Sequence, residues 1–380
     1  MYLHFHNVFK CSRMNNYTLE QIHFLQKECL IYFSGEMLEK GRFKSVFIFV
    51  IFLFLGFVMF LSFIPCRPIV LVWPANQSRN SKVLSRPEKN TRILAPSTVC
   101  NGNTENSDQN LVIIVIVFSA MSNFQERQTI RDSWASDAVS VPQTKVIFLL
   151  GTMGNLSNDV QSNVTHESGI HDDILQEDFI DSYANLTVKS LMLLKWFNKS
   201  CKNVSYVLKT DDDAYINLKN LHNLVSKNKK TDLLIGTLIC GNTPIRDPYN
   251  KHFSPKYMYG KTRYPNYLLG TAYLMSRSIS SKLYEAALEI PVFHMEDVFI
   301  TGILAQSIGI RPEDNVGFSY IERLATSCLY ESTISSHHLT LSEMKDMYKK
   351  VKEKQSKCAP HKKKFLQTYG SGQCTWEPSK

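Results

Sequence analysis

The chain has 380 residues, enough for one large domain with appendages. Its hydrophobic share of 44% and charged share of 20% are those of an ordinary globular protein. The net charge of +9 gathers near the C-terminus, in Lys349, Lys350, Lys352, Lys354, Lys357 and Lys362–Lys364; without an aromatic platform or recognition motif beside it, such a tail reads as solvated and argues against nucleic-acid binding.

The first predicted element is Val46–Ile64, nineteen residues without a charge. That length suits one transmembrane helix. Lys40, Arg42 and Lys44 precede it, so the positive-inside rule places residues 1–45 in the cytosol and the rest across the membrane. A cleaved signal peptide fits less well, because the apolar run is too long and starts too far in. Met37 is an alternative start that would leave a compact cytosolic tail. Residues 65–109, rich in Asn, Ser, Pro and Thr, read as an extended or disordered stem. Six sequons follow the anchor, at Asn76, Asn155, Asn163, Asn185, Asn198 and Asn203, which fits a glycosylating compartment. Besides Cys66 at the anchor's edge, so do six cysteines farther on, Cys100, Cys201, Cys240, Cys328, Cys358 and Cys374, an even number in an oxidising lumen, with fifteen pairings open. No Cys/His spacing suits zinc.

A catalytic domain is expected over 110–348, followed by a basic tail at 349–380. Leu111–Phe118 is a continuous β-branched run, the mark of a strand buried on both faces. Gln125–Ala135 reads as a helix carrying Arg127 and Arg131 at i, i+4, where two guanidinium groups could hold phosphates; the plainer reading is a surface helix anchored by Trp134. A strand is predicted at Lys145–Leu150, a helix over most of Asp172–Trp196, and a third strand at Val204–Leu208. That strand delivers Asp211, Asp212 and Asp213. Three carboxylates at a buried strand end are costly unless a cation joins them, and open α/β sheets bind ligands there. A divalent metal carrying a diphosphate suits these hard oxygen ligands; a solvated acidic turn is the plain alternative. A helix at Asn217–Lys227 and a strand at Leu233–Leu238 follow. Gly241–Pro265 is long, polar and rich in tyrosine, as a lid or binding loop would be. Leu268–Ser276 and Ser278–Leu288 read as strand and helix. Glu296 and Asp297 precede an apolar helix, either capping it or supplying a general base in a cleft. His337 and His338 could complete a metal shell of carboxylates, or sit on the surface. Alternating strands and helices predict an α/β fold with a mostly parallel central sheet flanked by helices.

Six segments together resemble one family: RQTIRDSWA at 127–135, FLLG at 148–151, DILQEDFIDSYANLTVK at 173–189, KTDDD at 209–213, YPNYLLGTAYLMS at 264–276 and EDVFITG at 296–302. Their order and spacing are similar to those of β-1,3-galactosyltransferases, within the larger β-1,3-glycosyltransferase family that also holds β-1,3-N-acetylglucosaminyltransferases and the Fringe proteins. The resemblance runs from about Val112 to Tyr348. Ala135 and Ala272 stand where the family often has glycine, and Leu268–Leu269 where it often has Cys-Ser. His252 and Phe253 also depart from a common lysine–tryptophan context.

The resemblance implies a GT-A fold, a UDP-sugar donor, a glycan acceptor on glycoprotein or glycolipid, Mn²⁺ as cofactor and a type II Golgi membrane enzyme. It implies that Asp213 binds the metal, that Asp211 and Asp212 contact the nucleotide or the metal shell, and that His337 completes the metal site. Asp297 would be the catalytic base with Glu296 beside it, and Arg127 and Arg131 would help form the nucleotide pocket. The implied reaction is inverting transfer of galactose in β-1,3 linkage; N-acetylglucosamine is the alternative donor sugar, and a catalytically silent luminal carbohydrate-binding protein is the rival of another class. The 173–189 segment has no assigned role beyond the donor-side framework, and the presence of a homodimer stays open.

Overall fold

In the computed structural model of the protein, the described residues are 49–54, 56, 73–97, 99–100, 112–154, 158–228, 230–318 and 333–353. The chain divides into two units. In the first, residues 1–70 with 248–251, the described part of the expected anchor at 46–64 is an exposed helical stretch at 49–54. No helix among the described residues is long and apolar enough to cross a membrane. The expected cytosolic tail at 1–45, and the basic tail beyond residue 353, lie outside the described residues.

The second unit, residues 71–247 and 252–380, is built on an eight-stranded sheet. Its strands are β1 (Arg92–Leu94), β2 (Ile113–Phe118), β3 (Thr144–Thr152), β4 (Ile174–Ile180), β5 (Tyr206–Asp211), β7 (Leu234–Ile239), β8 (Tyr267–Ser276) and β9 (Glu313–Asp314), in the order β1-β4-β3-β2-β5-β8-β7-β9. A separate pair joins β6 (Tyr215–Ile216) to β10 (Ser335–Ser336). The helices are α1 (Ser81–Ser85), α2 (Phe124–Asp132), α3 (Asn158–His171), α4 (Leu186–Ser200), α5 (Leu218–Lys227), α6 (Arg277–Glu289), α7 (Ala305–Ser307) and α8 (Leu341–Lys352), with a π-helix at Val298–Leu304.

β2 shows why its sequence is uninterruptedly apolar. Side chains alternate across a strand. Ile114, Ile116 and Phe118 pack with α4 residues such as Leu191 and Leu194 and with Ile279 and Leu283 of α6. Ile113, Val115 and Val117 pack on the opposite face with Ile130, Trp134, Leu221 and Met344. Both faces are covered, so no position tolerates a polar residue; each such side chain contributes roughly 1.5–3 kcal/mol of burial.

Three expectations are corrected. The sheet is mixed rather than mostly parallel. β4, β3, β2 and β5 run parallel, but β8 is antiparallel to both β5 and β7, and β1 is antiparallel to β4. A long irregular segment joins β7 to β8 where a crossover helix would have been needed for a parallel return. Second, the segment read as mostly helical from Asp172 contains β4, and the helix begins only at Leu186. Third, the expected stem is folded from residue 73 through 97. Trp73 is buried and its indole donates to Asn185 Oδ1 (2.9 Å), while β1 adds to the edge of β4.

Among the described residues, Cys100 and Cys201 form a disulfide, and Cys240 is also disulfide-bonded.

Candidate active site

The carboxyl ends of β4, β3, β2 and β5 share one edge of the sheet, and the acidic triplet leaves it there. Asp211 is the last residue of β5. Trp134, fully buried, donates its indole N–H to the carbonyl of Ala214 (3.0 Å) and so fixes the chain just after Asp213. The small β6–β10 sheet then carries His337 to the triplet: Ser336 pairs with Tyr215, and the Leu339 amide donates to the Asp213 carbonyl (3.0 Å). His337 Nε2 lies 3.4 Å from Asp213 Oδ2.

Ligand atoms of Asp211, Asp213 and His337 all fall within 4.8 Å of one another. Asp213 Oδ1 and His337 Nδ1 are buried and unpartnered. Burial raises the pKa of Asp213, partly offset by His337, and burial lowers that of His337. Half-buried carboxylates beside a neutral imidazole form a donor set that suits a divalent cation. Asp212 points elsewhere: its Oδ2 accepts from Asn123 Nδ2 (2.9 Å), and burial raises its pKa.

The second acid pair sits on the neighbouring elements. Asp297 caps the π-helix, its Oδ1 accepting from the Val298 amide (2.8 Å) and its Oδ2 from the Gly270 amide (3.3 Å). π-helical turns recur at functional sites. The turn also needs its glycine, because a Cβ on Gly302 would lie 2.9 Å from Tyr267 Cβ. Glu296 is 6% exposed; its Oε1 accepts from Ser190 Oγ and Tyr273 OH, both at 2.6 Å. Burial raises the pKa of Glu296 and of Asp297. Gly270 on β8 leaves room for both, since a Cβ there would meet Asp297 Cβ and Glu296 Oε2 at 3.3 Å.

Lys209 joins the two halves. It is 2% exposed, bonds Asp211 Oδ1 (2.6 Å) and the Gly270 carbonyl, and lies 3.9 Å from Glu296 Oε2. Burial alone would lower its pKa; the charges of Asp211 and Glu296 outweigh that and leave it raised. Lys209 therefore connects Asp211, at the end of β5, to Glu296, the residue before Asp297.

Arg127 and Arg131 are engaged elsewhere and do not join these acids as phosphate ligands. Arg127 is fully buried, paired with Glu167 (2.6 Å) and bonded to the carbonyls of Ala120 (2.6 Å) and Met121 (3.2 Å). Arg131 pairs with Asp173 and Glu167, each at 2.7 Å. Arg127 holds the loop after β2 and Arg131 ties α2 to α3 and the start of β4, their charges already matched by carboxylates.

The 173–189 segment gains roles of the same kind. Asp181 Oδ2 accepts from Lys189 Nζ (2.6 Å) and the Gly151 amide (3.1 Å), and Lys189 also bonds the Ser119 carbonyl (2.8 Å). This clamp holds the ends of β2, β3 and β4 together. Sequence reasoning missed Lys209, Lys189, Asp181 and Glu167. Lys209 was detectable: residues i and i+2 of a strand share a face, so it had to accompany Asp211. Glu167 had no local signal. Size alone would mislead as well, because a 660 Å³ depression along α3, lined by Gln161, Thr165 and Ile170, holds no cluster of acids.

The fold and site define an α/β protein with an Asp–Asp–His group that could hold a metal ion and a neighbouring acid pair, Glu296 and Asp297, of which Glu296 is buried. A family model described as galactosyltransferase matches residues 125–316. Mouse lactosylceramide 1,3-N-acetyl-β-D-glucosaminyltransferase is 32% identical over 250 residues, spanning 63% of this chain and 66% of the relative. Mouse and human β-1,3-galactosyltransferase 1 are each 34% identical over 253 residues, 65% of this chain and 76% of theirs. The chain belongs to the galactosyltransferase family and is a glycosyltransferase, which bears out the resemblance read from its motifs. Solved structures similar to it include an active-site mutant of LgtC (13% identity, TM-score 0.34, 66% of this chain and 99% of that one). A mannosyltransferase from Pyrobaculum calidifontis in complex with GDP-Man and Mn²⁺ (15% identity, TM-score 0.29, 62% and 61%) is another. Likenesses at these scores carry no argument.

Proposed function

We propose that the chain is an inverting β-1,3-hexosyltransferase of GT-A type that moves a sugar from a UDP donor to a glycan acceptor. The observation that carries this reading is the ionic bridge by which Lys209 links Asp211 of the Asp211–Asp213–His337 group to Glu296, next to Asp297. Asp211, Asp213 and His337 would hold the cation, with Mn²⁺ the first choice. Bound there, it neutralises charge on the diphosphate as the nucleotide leaves.

Asp297 takes the proton of the acceptor hydroxyl as that oxygen forms its bond to the anomeric carbon. The bond from that carbon to the diphosphate oxygen breaks, and its electron pair departs with UDP. One displacement inverts the centre, so an α-linked donor gives a β-linked product. Glu296 and Lys209 keep the acid pair and the cation site in register. Galactose is the first choice of sugar and N-acetylglucosamine the alternative, since relatives of both kinds match at similar identity. A type II Golgi enzyme is proposed from the apolar run at 46–64 and the sequons after it; the Cys100–Cys201 disulfide supports an oxidising compartment.

The test is a donor screen of the full chain with UDP-galactose, UDP-N-acetylglucosamine and UDP-N-acetylgalactosamine, with Mn²⁺ and with chelator. Metal-dependent transfer from one of the first two is expected. Glycan binding without turnover of any donor would favour the silent carbohydrate-binding protein instead.

A further inference from the structure

The turn after β4 presents a residue that neither the acid cluster nor the base explains. Asp181 is locked by Lys189 and the Gly151 amide, and Asn185 closes the turn by donating to the Ile180 carbonyl (2.9 Å) while accepting from Trp73. Between these fixed points stands Tyr183, 58% exposed, on a single 3-10 turn. A large aromatic ring left in solvent on so rigid a base loses little entropy on binding a ligand.

Its hydroxyl end meets a second segment of the chain. It lies 3.4 Å from His252 Nδ1, and packing around it together with the charges of Asp297 and Asp211 raises its pKa. His252 in turn acts electrostatically on Asp297. Its own placement is firm, because the next carbonyl, Phe253, is held by His294 Nε2 (2.9 Å). Tyr183 therefore stands at the carboxyl end of β4, on the sheet edge that carries the acid cluster, and His252 stands beside the segment of His294 that leads to Asp297.

Resting on the reaction proposed above, we infer that Tyr183 and His252 form the acceptor subsite: the Tyr183 ring carries the apolar face of a pyranose, and the His252 imidazole with the Tyr183 hydroxyl orients the sugar so that one hydroxyl meets Asp297. A pyranose has an apolar face and a rim of hydroxyls, and this pair offers a matching ring and polar edge. Orienting one hydroxyl against the base also supplies the linkage choice, since only the aligned oxygen loses its proton.

The experiment uses full-length wild type, Tyr183→Ala, Tyr183→Phe and His252→Ala. Aryl β-glycosides of galactose, N-acetylglucosamine and N-acetylgalactosamine serve as acceptors, with UDP affinity followed calorimetrically in Mn²⁺. Tyr183→Ala should raise the acceptor KM about tenfold or more, and Tyr183→Phe should restore most of it, while UDP affinity stays within about twofold. His252→Ala should lower kcat/KM for the acceptor with the donor KM unchanged. An acceptor KM near wild type in Tyr183→Ala, or a loss confined to donor KM or UDP affinity, overturns the subsite. Failure of the wild type itself to bind UDP or turn over any UDP-sugar would instead sink the transferase reading beneath it.

Discussion

Lys209 ties the acidic end of β5 to the carboxylate pair at the π-helix: its Nζ lies 2.6 Å from Asp211 Oδ1 and 3.9 Å from Glu296 Oε2. Glu296 is deeply buried, so removing the ammonium leaves a carboxylate without its counter-charge. Lys209→Met should cost about 3–5 kcal/mol of stability. In a Glu296→Gln background the same change should cost clearly less, because the stranded charge is gone. Urea unfolding of the four proteins measures this coupling; equal costs in both backgrounds would show that the link carries no energy.

Asp297 must be ionised to accept a proton. Burial holds its pKa above the ordinary aspartate value, with the Val298 amide and Lys209 pulling part of the way back. Activity should therefore fail as pH drops through that raised pKa, and the acid limb of kcat/KM should lie above the ordinary aspartate range. Asp297→Asn should lower kcat by about 10²–10⁴ and leave UDP binding intact. Substantial turnover in that variant would remove Asp297 from the base role.

His294 donates from Nε2 to the Phe253 carbonyl (2.9 Å), and burial pushes its pKa down to about 4. The folded state therefore binds fewer protons than the unfolded state between about pH 6.5 and 4, so stability present above that window is lost as pH falls through it. The full effect is roughly 3 kcal/mol. His294→Gln cannot titrate, so the stability gap between wild type and variant should shift by that order between pH 7 and 4. A gap that stays constant with pH would show that the imidazole is not kept neutral.

Lys195 is buried, and its ammonium donates to the carbonyls of Ser85, Arg86 and Lys89 at 2.9 Å and to Thr91 Oγ1 at 2.8 Å. All four acceptors come from the segment the sequence presents as a stem. A fragment starting at Leu71 should fold cooperatively. One starting at Val112 strands that ammonium, bares the edge of β4 and empties the place of Trp73, and should lose at least about 3–5 kcal/mol. Thermal unfolding of the two fragments checks this; equal stability would make the segment dispensable.

The legible parts of this fold are those whose signal is local. The unbroken apolar run of β2 announces a strand covered on both faces, and β5, β7 and α5 fall within a few residues of their expected bounds. β4 was misread because polar residues sit inside it. Gln176 and Glu177 are buried there only because Gln176 donates to the Gly151 carbonyl (3.0 Å) and Glu177 accepts from Thr91 Oγ1. Partners that distant leave no periodic trace.

The chemistry divides along the same line. Three carboxylates at a strand end, and two more before an apolar helix, are visible as uncompensated desolvation in any linear reading, and that is enough to mark both groups as site candidates. Which of those acids meets His337, why Lys209 stands between them, and why Arg127 and Arg131 serve as buttresses depend on register. The β6–β10 pairing, the reversal of β8 and the burial of Glu167 set it. A side chain declares its charge wherever it lies, but the charge that answers it is chosen only when strands far apart in the chain are laid side by side.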